Sequence, residues 1–242
     1  MPNSRIHAPI SSPEGWKRLL ADPDKQWRTG FSAQTLALSW LAADGFPPEV
    51  ATLFSSSGVV AFESVEPLII IPEHQVRLPP EGGHPSQNDL FVLAKGSDGG
   101  LISMTVEGKV SESFDKPVGE WLKSASSGKL ERLTFLAKKL GLSGEIPPTI
   151  RYQLLHRLAS AVLEAERFGA RHAVMIVHSF SQSDEWFSDF AGFVSLYNAD
   201  AGVGKLAHLK HIGGMSIYAG WARGDPRFLD IPQPTSPGTG LA

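Results

Sequence analysis

Two runs, DLFVLA at residues 89–94 and LISMTVEGKV at residues 101–110, read as β-strands, and the second alternates apolar with polar positions. The glycine-rich KGSDGG between them predicts a hairpin loop. Upstream, LIIIPEHQVRL is β-rich but broken by Pro72, so it reads as one bent edge strand or two short pieces. Before it, the spacing is helical. Ser11 or Ser12 followed by Pro13 and Glu14 starts a short helix carrying Trp16, Leu19 and Leu20. A second helix over 33–43 sets Leu36, Trp40 and Leu41 on one stripe, and a third starts at Pro48 and Glu49 and ends near Ser55.

Downstream, residues 117–140 are mostly helical with a break at SSGK. Residues 151–168 keep a 3.6-residue period through Leu154, Leu158, Ala161, Val162 and Ala165. HAVMIVHSF is a continuous apolar run of the kind buried on both faces of a sheet. A helix follows over about 185–197, and MSIYAGWA reads as a last strand. The proline- and glycine-rich end, DIPQPTSPGTGLA, carries too little apolar content to order itself. The order is helices, three strands, helices, a buried strand, with no internal repeat.

Composition narrows the classes. A chain of 242 residues with 42% hydrophobic and 19% charged residues has room for one large α/β domain, and no run of about 18 apolar residues is present to cross a bilayer. No membrane partner is expected. The first residues lack the apolar core of a secretory signal, and zero cysteines remove disulfides, thiolate metal sites and cysteine nucleophiles, so a cytoplasmic location is expected. A net charge of −3 gives no global pull toward nucleic acid, so any phosphate-binding surface must be local.

The chemistry concentrates on the hairpin. With the loop centred on Asp98, residues whose numbers sum to 196 face one another, and Asp89 and Glu107 are such a pair. Directly opposed residues hold their Cβ atoms roughly 4.5–5.5 Å apart, near enough for two carboxylates to share a divalent cation. Lys109 lies two residues on and therefore shares the face of Glu107, together with Thr105 and Ser111, while Ile102, Met104, Val106 and Val110 form the other, buried face. The competing reading is a solvated ion pair on the outside of an ordinary hairpin.

These residues resemble the PD-(D/E)XK nuclease superfamily, the restriction-endonuclease-like fold. Its core runs helix, three strands, helix, strand, with an acid at the start of the second strand and Glu-x-Lys on the third. Asp89 matches the first acid and Glu107-Gly108-Lys109 the second motif, over roughly residues 47–180, with Asn88 where a proline often precedes the acid. The resemblance implies an α/β fold with an αβββαβ core, a mixed sheet flanked by helices and extra N-terminal helices. It divides the chain into a helical extension at 1–46, the nuclease-like domain at 47–230 and a flexible tail at 231–242. It implies phosphodiester hydrolysis with Mg²⁺ or Mn²⁺ held by Asp89 and Glu107, with Lys109 orienting or helping to deprotonate the attacking water. Nucleic acid, DNA first, is the implied partner, and the fold is compatible with a homodimer. The alternative is a catalytically inactive module that keeps the fold to bind nucleic acid or a protein.

Many members add a glutamate from the first core helix. Glu49 is the candidate here, with Glu63, Glu66 and Glu73 as competitors. Gln153, Arg157, Ser160 and Glu164 share a helix face that reads as solvated surface, or as a flank of the site with Gln153 orienting substrate or water and Arg157 touching phosphate. Glu73, His74 and Glu112 lie near the site in sequence. Lys129, Arg132, Lys138 and Lys139 on one helix, and Lys205 and Lys210 elsewhere, are candidates for a phosphate track. AGVGKL lacks the first glycine and the Ser or Thr of a phosphate loop and is rejected. His208 and His211 read as a surface pair on a helix, without a third metal ligand, and His178 as a satisfied core histidine.

Overall fold

The structure, a computed structural model, describes residues 10–231 except 44, 82 and 125. The tail expected to be flexible lies, beyond Ile231, outside the described residues. Four helices come first: α1 (Pro13–Lys17), α2 (Pro23–Gln26), α3 (Ser32–Ala43) and α4 (Pro48–Ser55). The start of α1 follows from its sequence: Pro13 fits the first helical position, and Ser12 Oγ accepts a hydrogen bond from the Gly15 N–H at 3.1 Å. Helix α2 was not foreseen. It is a single turn after Asp22, whose side chain caps the Lys25 N–H.

Three strands follow, β1 (Glu66–Val76), β2 (Ser86–Lys95) and β3 (Leu101–Lys109), as an antiparallel meander. Pairs such as Leu90 with Val106 and Val92 with Met104 carry the register expected from a loop centred on Asp98. Strand β1 is one long edge strand, with a register shift between Pro67 and Ile69 and a left-handed residue, Glu73, at φ 53°. The segment 117–140 divides into α5 (Val118–Trp121) and α6 (Ser127–Lys139), the latter capped by Ser126. Helix α7 (Tyr152–Phe168) ends at Gly169 in the left-handed conformation and crosses over to β4 (His172–Ser179), which is parallel to β3.

Helix α8 (Phe187–Val194) is shorter than the pattern suggested, because a 3₁₀ turn completes it at Ser195–Tyr197. The last two strands are β5 (Leu206–Ile212) and β6 (Met215–Arg223). Strand β5 corrects the helical expectation for His208 and His211. It is an edge strand whose pairing with β6 shifts between His208 and Lys210, and its polar residues hid it from any hydrophobic pattern. The result is a mixed six-stranded sheet of order β1-β2-β3-β4-β6-β5, flanked by helices on both faces.

One apolar cluster joins α7 and α8 to Met175, Val177 and Trp221 on one side of the sheet; the other joins Trp16, Leu36 and Trp40 of the early helices to Met104, Val106 and Ile176. Helices α1 and α3, with Leu20 and Trp27 beside them, thus share a core with the sheet, so their burial contributes to the same folding unit. None of the helices among the described residues is long and apolar enough to cross a membrane.

Candidate active site

The polar face of β3 lies under α7 and away from solvent. Ser103 Oγ donates to the Ala161 carbonyl at 2.7 Å and Thr105 Oγ1 to the Arg157 carbonyl at 3.0 Å, so the two hydroxyls fasten the helix across the strand. The same helix presents a polar stripe to the next residues along β3. Arg157, Ser160 and Glu164 are buried, which corrects the solvated-surface reading of that helix face. The physical reason is that polar groups on the two elements satisfy one another, so neither pattern looks apolar although the interface is closed.

Glu107 is 2% exposed and Lys109 5% exposed, which excludes a solvated surface pair. Glu107 Oε1 accepts from Lys109 Nζ and from Gln153 Nε2, both at 2.6 Å, and Oε2 accepts from Arg157 Nε at 2.5 Å. Lys109 Nζ also stands 5.1 Å from the centre of the Phe114 ring. Burial alone would raise the pKa of Glu107, but the Arg157 and Lys109 charges overcome it and hold the group at about 2. Gln153 is fixed from its other end as well, its Oε1 accepting the Asp115 N–H at 3.1 Å.

Asp89 stands one step beyond the Leu90–Val106 pair, beside Glu107, and its Oδ2 accepts the Gly108 N–H at 2.8 Å. Burial and then the charge of Glu107 drive its pKa up to about 7, against the pull of Arg157 and Lys109. The third acid of the cluster is Glu73. Burial and then the Asp89 charge raise it to about 8, and its Oε2 accepts from Gln87 Nε2 at 2.6 Å. Its left-handed backbone, between Pro72 paired with Leu90 and His74 paired with Asn88, sets it across from Asp89.

Glu73, Asp89, Glu107, Lys109, Gln153 and Arg157 line one cavity of about 320 Å³. Its other wall comes from the N-terminal helices, with Leu20, Lys25, Gln26, Phe31 and Ser32. Glu112 also faces it and holds the start of α3, its Oε1 accepting the Ser32 N–H at 2.8 Å. The four residues singled out in the sequence, Asp89, Glu107, Lys109 and Gln153, therefore meet at one place, and Arg157 and Glu73 join them.

Glu49 is elsewhere. Its Oε1 lies 2.8 Å from His178 Nε2, and the Trp40 indole donates to His178 Nδ1 at 3.2 Å. His178 is thus a fully buried histidine with both ring nitrogens partnered, its pKa lowered by burial. The further acid that lines the cavity is Glu73, from β1. The only sequence signal for it was the proline break immediately before Glu73.

Four of the basic groups are bound to neighbouring oxygens of the protein. Arg132 donates to the carbonyls of Leu78, Pro79 and His84, Lys139 pairs with Glu166 at 2.9 Å, and Lys210 Nζ donates to the Gly141 carbonyl. Lys129 donates to the Trp121 carbonyl and to Ser124 Oγ, both at 2.8 Å.

Comparison with known proteins gives one family. The model of a family described as a domain of unknown function, DUF6946, matches residues 9–226, which spans the cavity and every element that lines it. Neither the curated proteins nor the solved structures give a match.

Proposed function

We propose that this chain, which belongs to the DUF6946 family, is a divalent-metal-dependent nuclease of the PD-(D/E)XK type that hydrolyses phosphodiester bonds, with DNA as substrate. The observation that carries the reading is a buried Glu107, its charge matched by Lys109 and Arg157, beside two carboxylates whose pKa values burial drives up to about 7 and about 8. Asp89 and Glu73 keep an accessible cavity in front of them, an arrangement that is costly for a merely structural cluster and useful for holding a cation. The succession of α4, three strands, α7 and β4 also agrees with the core that the resemblance implies.

The donor set suits a hard cation. Among the described residues no group of three or more His, Asp or Glu side chains is arranged to hold a metal ion, and Mg²⁺ is commonly bound by one or two carboxylates with waters and substrate oxygens completing the shell. Asp89 and Glu107, with Glu73 beside them, would hold Mg²⁺ or Mn²⁺, whose chemistry there is to polarise a phosphoryl oxygen and acidify a water. The protein's own residues do the rest. Arg157 and Gln153 fix the Glu107 carboxylate from two sides, so it needs no reorganisation when a phosphate arrives. Lys109 keeps its ammonium beside the same carboxylate, positioned to orient a water and to balance charge that develops on phosphate oxygens.

A second reading has an observation of its own. Both oxygens of Glu107 already accept hydrogen bonds, which favours a catalytically inactive module that binds nucleic acid or a protein. Cleavage separates the two. Purified protein with Mn²⁺ should nick plasmid or cut single-stranded DNA, and Asp89→Ala and Lys109→Ala should each abolish cutting. No cutting by the parent, or equal cutting by parent and variants, rejects the nuclease.

A further inference from the structure

A second cavity, of about 410 Å³, opens between α6, the start of α7 and the loop leading into β2. That volume lies within the range of small-molecule sites, and one wall is the Trp121–Tyr152 pair, whose rings stack 4.0 Å apart at 12°. Leu78, Pro80 and Pro85 complete an apolar lining.

Two cations break that lining, Lys129 and Arg132. Their hydrogen bonds go to neutral oxygens, the carbonyls and hydroxyl already named, and neither forms a salt bridge among the described residues. The described lining also holds no Asp or Glu. An apolar chamber with two positive charges that have no carboxylate partner, one of them Lys129 Nζ at 5.2 Å from the centre of the Trp121 ring, suits an anion that carries a flat apolar body. Lys129 has one ammonium proton beyond its hydrogen bonds to Trp121 and Ser124, and Gly128 beside it leaves the backbone open: a Cβ there would meet only Pro80 Cγ at 3.4 Å and Ser126 Oγ at 3.9 Å.

The chamber is joined to the carboxylate site. Ser86 Oγ lies 2.8 Å from His156 Nδ1, and Arg157, which holds Glu107, donates to Ser86 Oγ at 3.3 Å. Ser86 is also on β2, three residues before Asp89. A group in the chamber is therefore within one hydrogen-bonded chain of the residues proposed to hold the metal.

We propose that this cavity binds one nucleotide, its base against the Trp121–Tyr152 wall and its phosphate at Lys129 and Arg132, an inference that rests on the nucleic-acid reading of the neighbouring site. His156, whose Nδ1 is taken by Ser86, lines the chamber and leaves its Nε2 for the edge of the base.

The test is calorimetric titration of the metal-free full chain with dTMP and dAMP, with thymidine and inorganic phosphate as separate probes. Either nucleotide should bind at least about tenfold more tightly than thymidine or phosphate, because only it uses wall and cations together. Lys129→Gln should weaken nucleotide binding by about tenfold or more while leaving thymidine unchanged. Gly128→Met, which fills the chamber and keeps both charges, should abolish binding of every probe; circular dichroism and the melting temperature show that each variant is folded. Competition by a short oligothymidylate assigns the chamber to a nucleotide of the substrate strand, and failure to compete assigns it to free mononucleotides; both support the inference. No nucleotide binding at millimolar concentration overturns it, as does phosphate binding equally well or Gly128→Met binding like the parent. Nucleotide binding without DNA cleavage would reject the nuclease and keep the chamber, and cleavage without nucleotide binding would do the reverse.

Discussion

A cation held by Asp89 and Glu107, with Glu73 beside them, must displace the protons that Asp89 and Glu73 keep, so its binding should depend steeply on pH. With pKa values near 7 and 8, both carboxyls are protonated at pH 6 and largely ionised at pH 9. At pH 6 the ionised fraction is roughly one tenth for the first and one hundredth for the second, so an ion needing both loses about 10³-fold in apparent affinity, or about 4 kcal/mol. An ion needing Asp89 alone loses about tenfold. If 1 mM Mn²⁺ equals about one hundred dissociation constants at pH 8.5, it adds about 2.7 kcal/mol, or roughly 5–10 °C in melting temperature for a chain of this size, and almost nothing at pH 6. Differential scanning fluorimetry at both pH values, in EDTA and in Mn²⁺, reads this directly. Equal stabilisation at pH 6 and 8.5, or a gain that persists in Asp89→Asn, would mean that the ion does not bind through these protonated carboxyls.

Further outcomes follow from the same charges. In EDTA, the raised pKa of Asp89 means that its contribution to stability is present below the unfolded value and lost as pH rises from about 4 through about 7, so Asp89→Asn should exceed the parent above pH 7 by up to about 4 kcal/mol in urea unfolding. Glu107 has the opposite sign: its lowered pKa stabilises above the unfolded value, and that contribution fades as pH falls from 4.5 toward 2. Removing it in Glu107→Ala leaves Arg157 and Lys109 buried without the carboxylate that they share and should cost about 3–5 kcal/mol, measured by urea unfolding at pH 7. Glu73→Gly should raise the metal-free melting temperature, because glycine relieves a left-handed backbone worth roughly 1 kcal/mol and a desolvated carboxyl goes with it, while the Mn²⁺ response falls; an unchanged response would remove Glu73 from the cation site.

The hairpin was legible because a glycine-rich loop and a period of two together set its register, and that register alone brings Asp89 beside Glu107. What the pattern could not say was which face of β3 is covered. Ser103, Thr105 and Glu107 look like an outer face, and Gln153, Arg157 and Ser160 look like another, yet the two are complementary and close on each other. Mutual satisfaction of polar groups leaves no hydrophobic trace in either segment. Strand β5 was hidden for a related reason, since an edge strand carrying His208, Lys210 and His211 needs no apolar alternation. Glu73 was one of several glutamates that sequence could not rank. Its selection depends on a left-handed residue inside a long strand, a conformation that only the pairing of β1 with β2 reveals.

The nuclease reading requires a cation at half-buried Asp89 and buried Glu107. Anomalous scattering from crystals of the protein grown with Mn²⁺ tests it most directly. A peak is expected within about 2.0–2.4 Å of an Asp89 oxygen and next to Glu107, lost in Asp89→Asn. Well-ordered carboxylates with no Mn²⁺ peak between them, or a peak bound only at the surface, would contradict it.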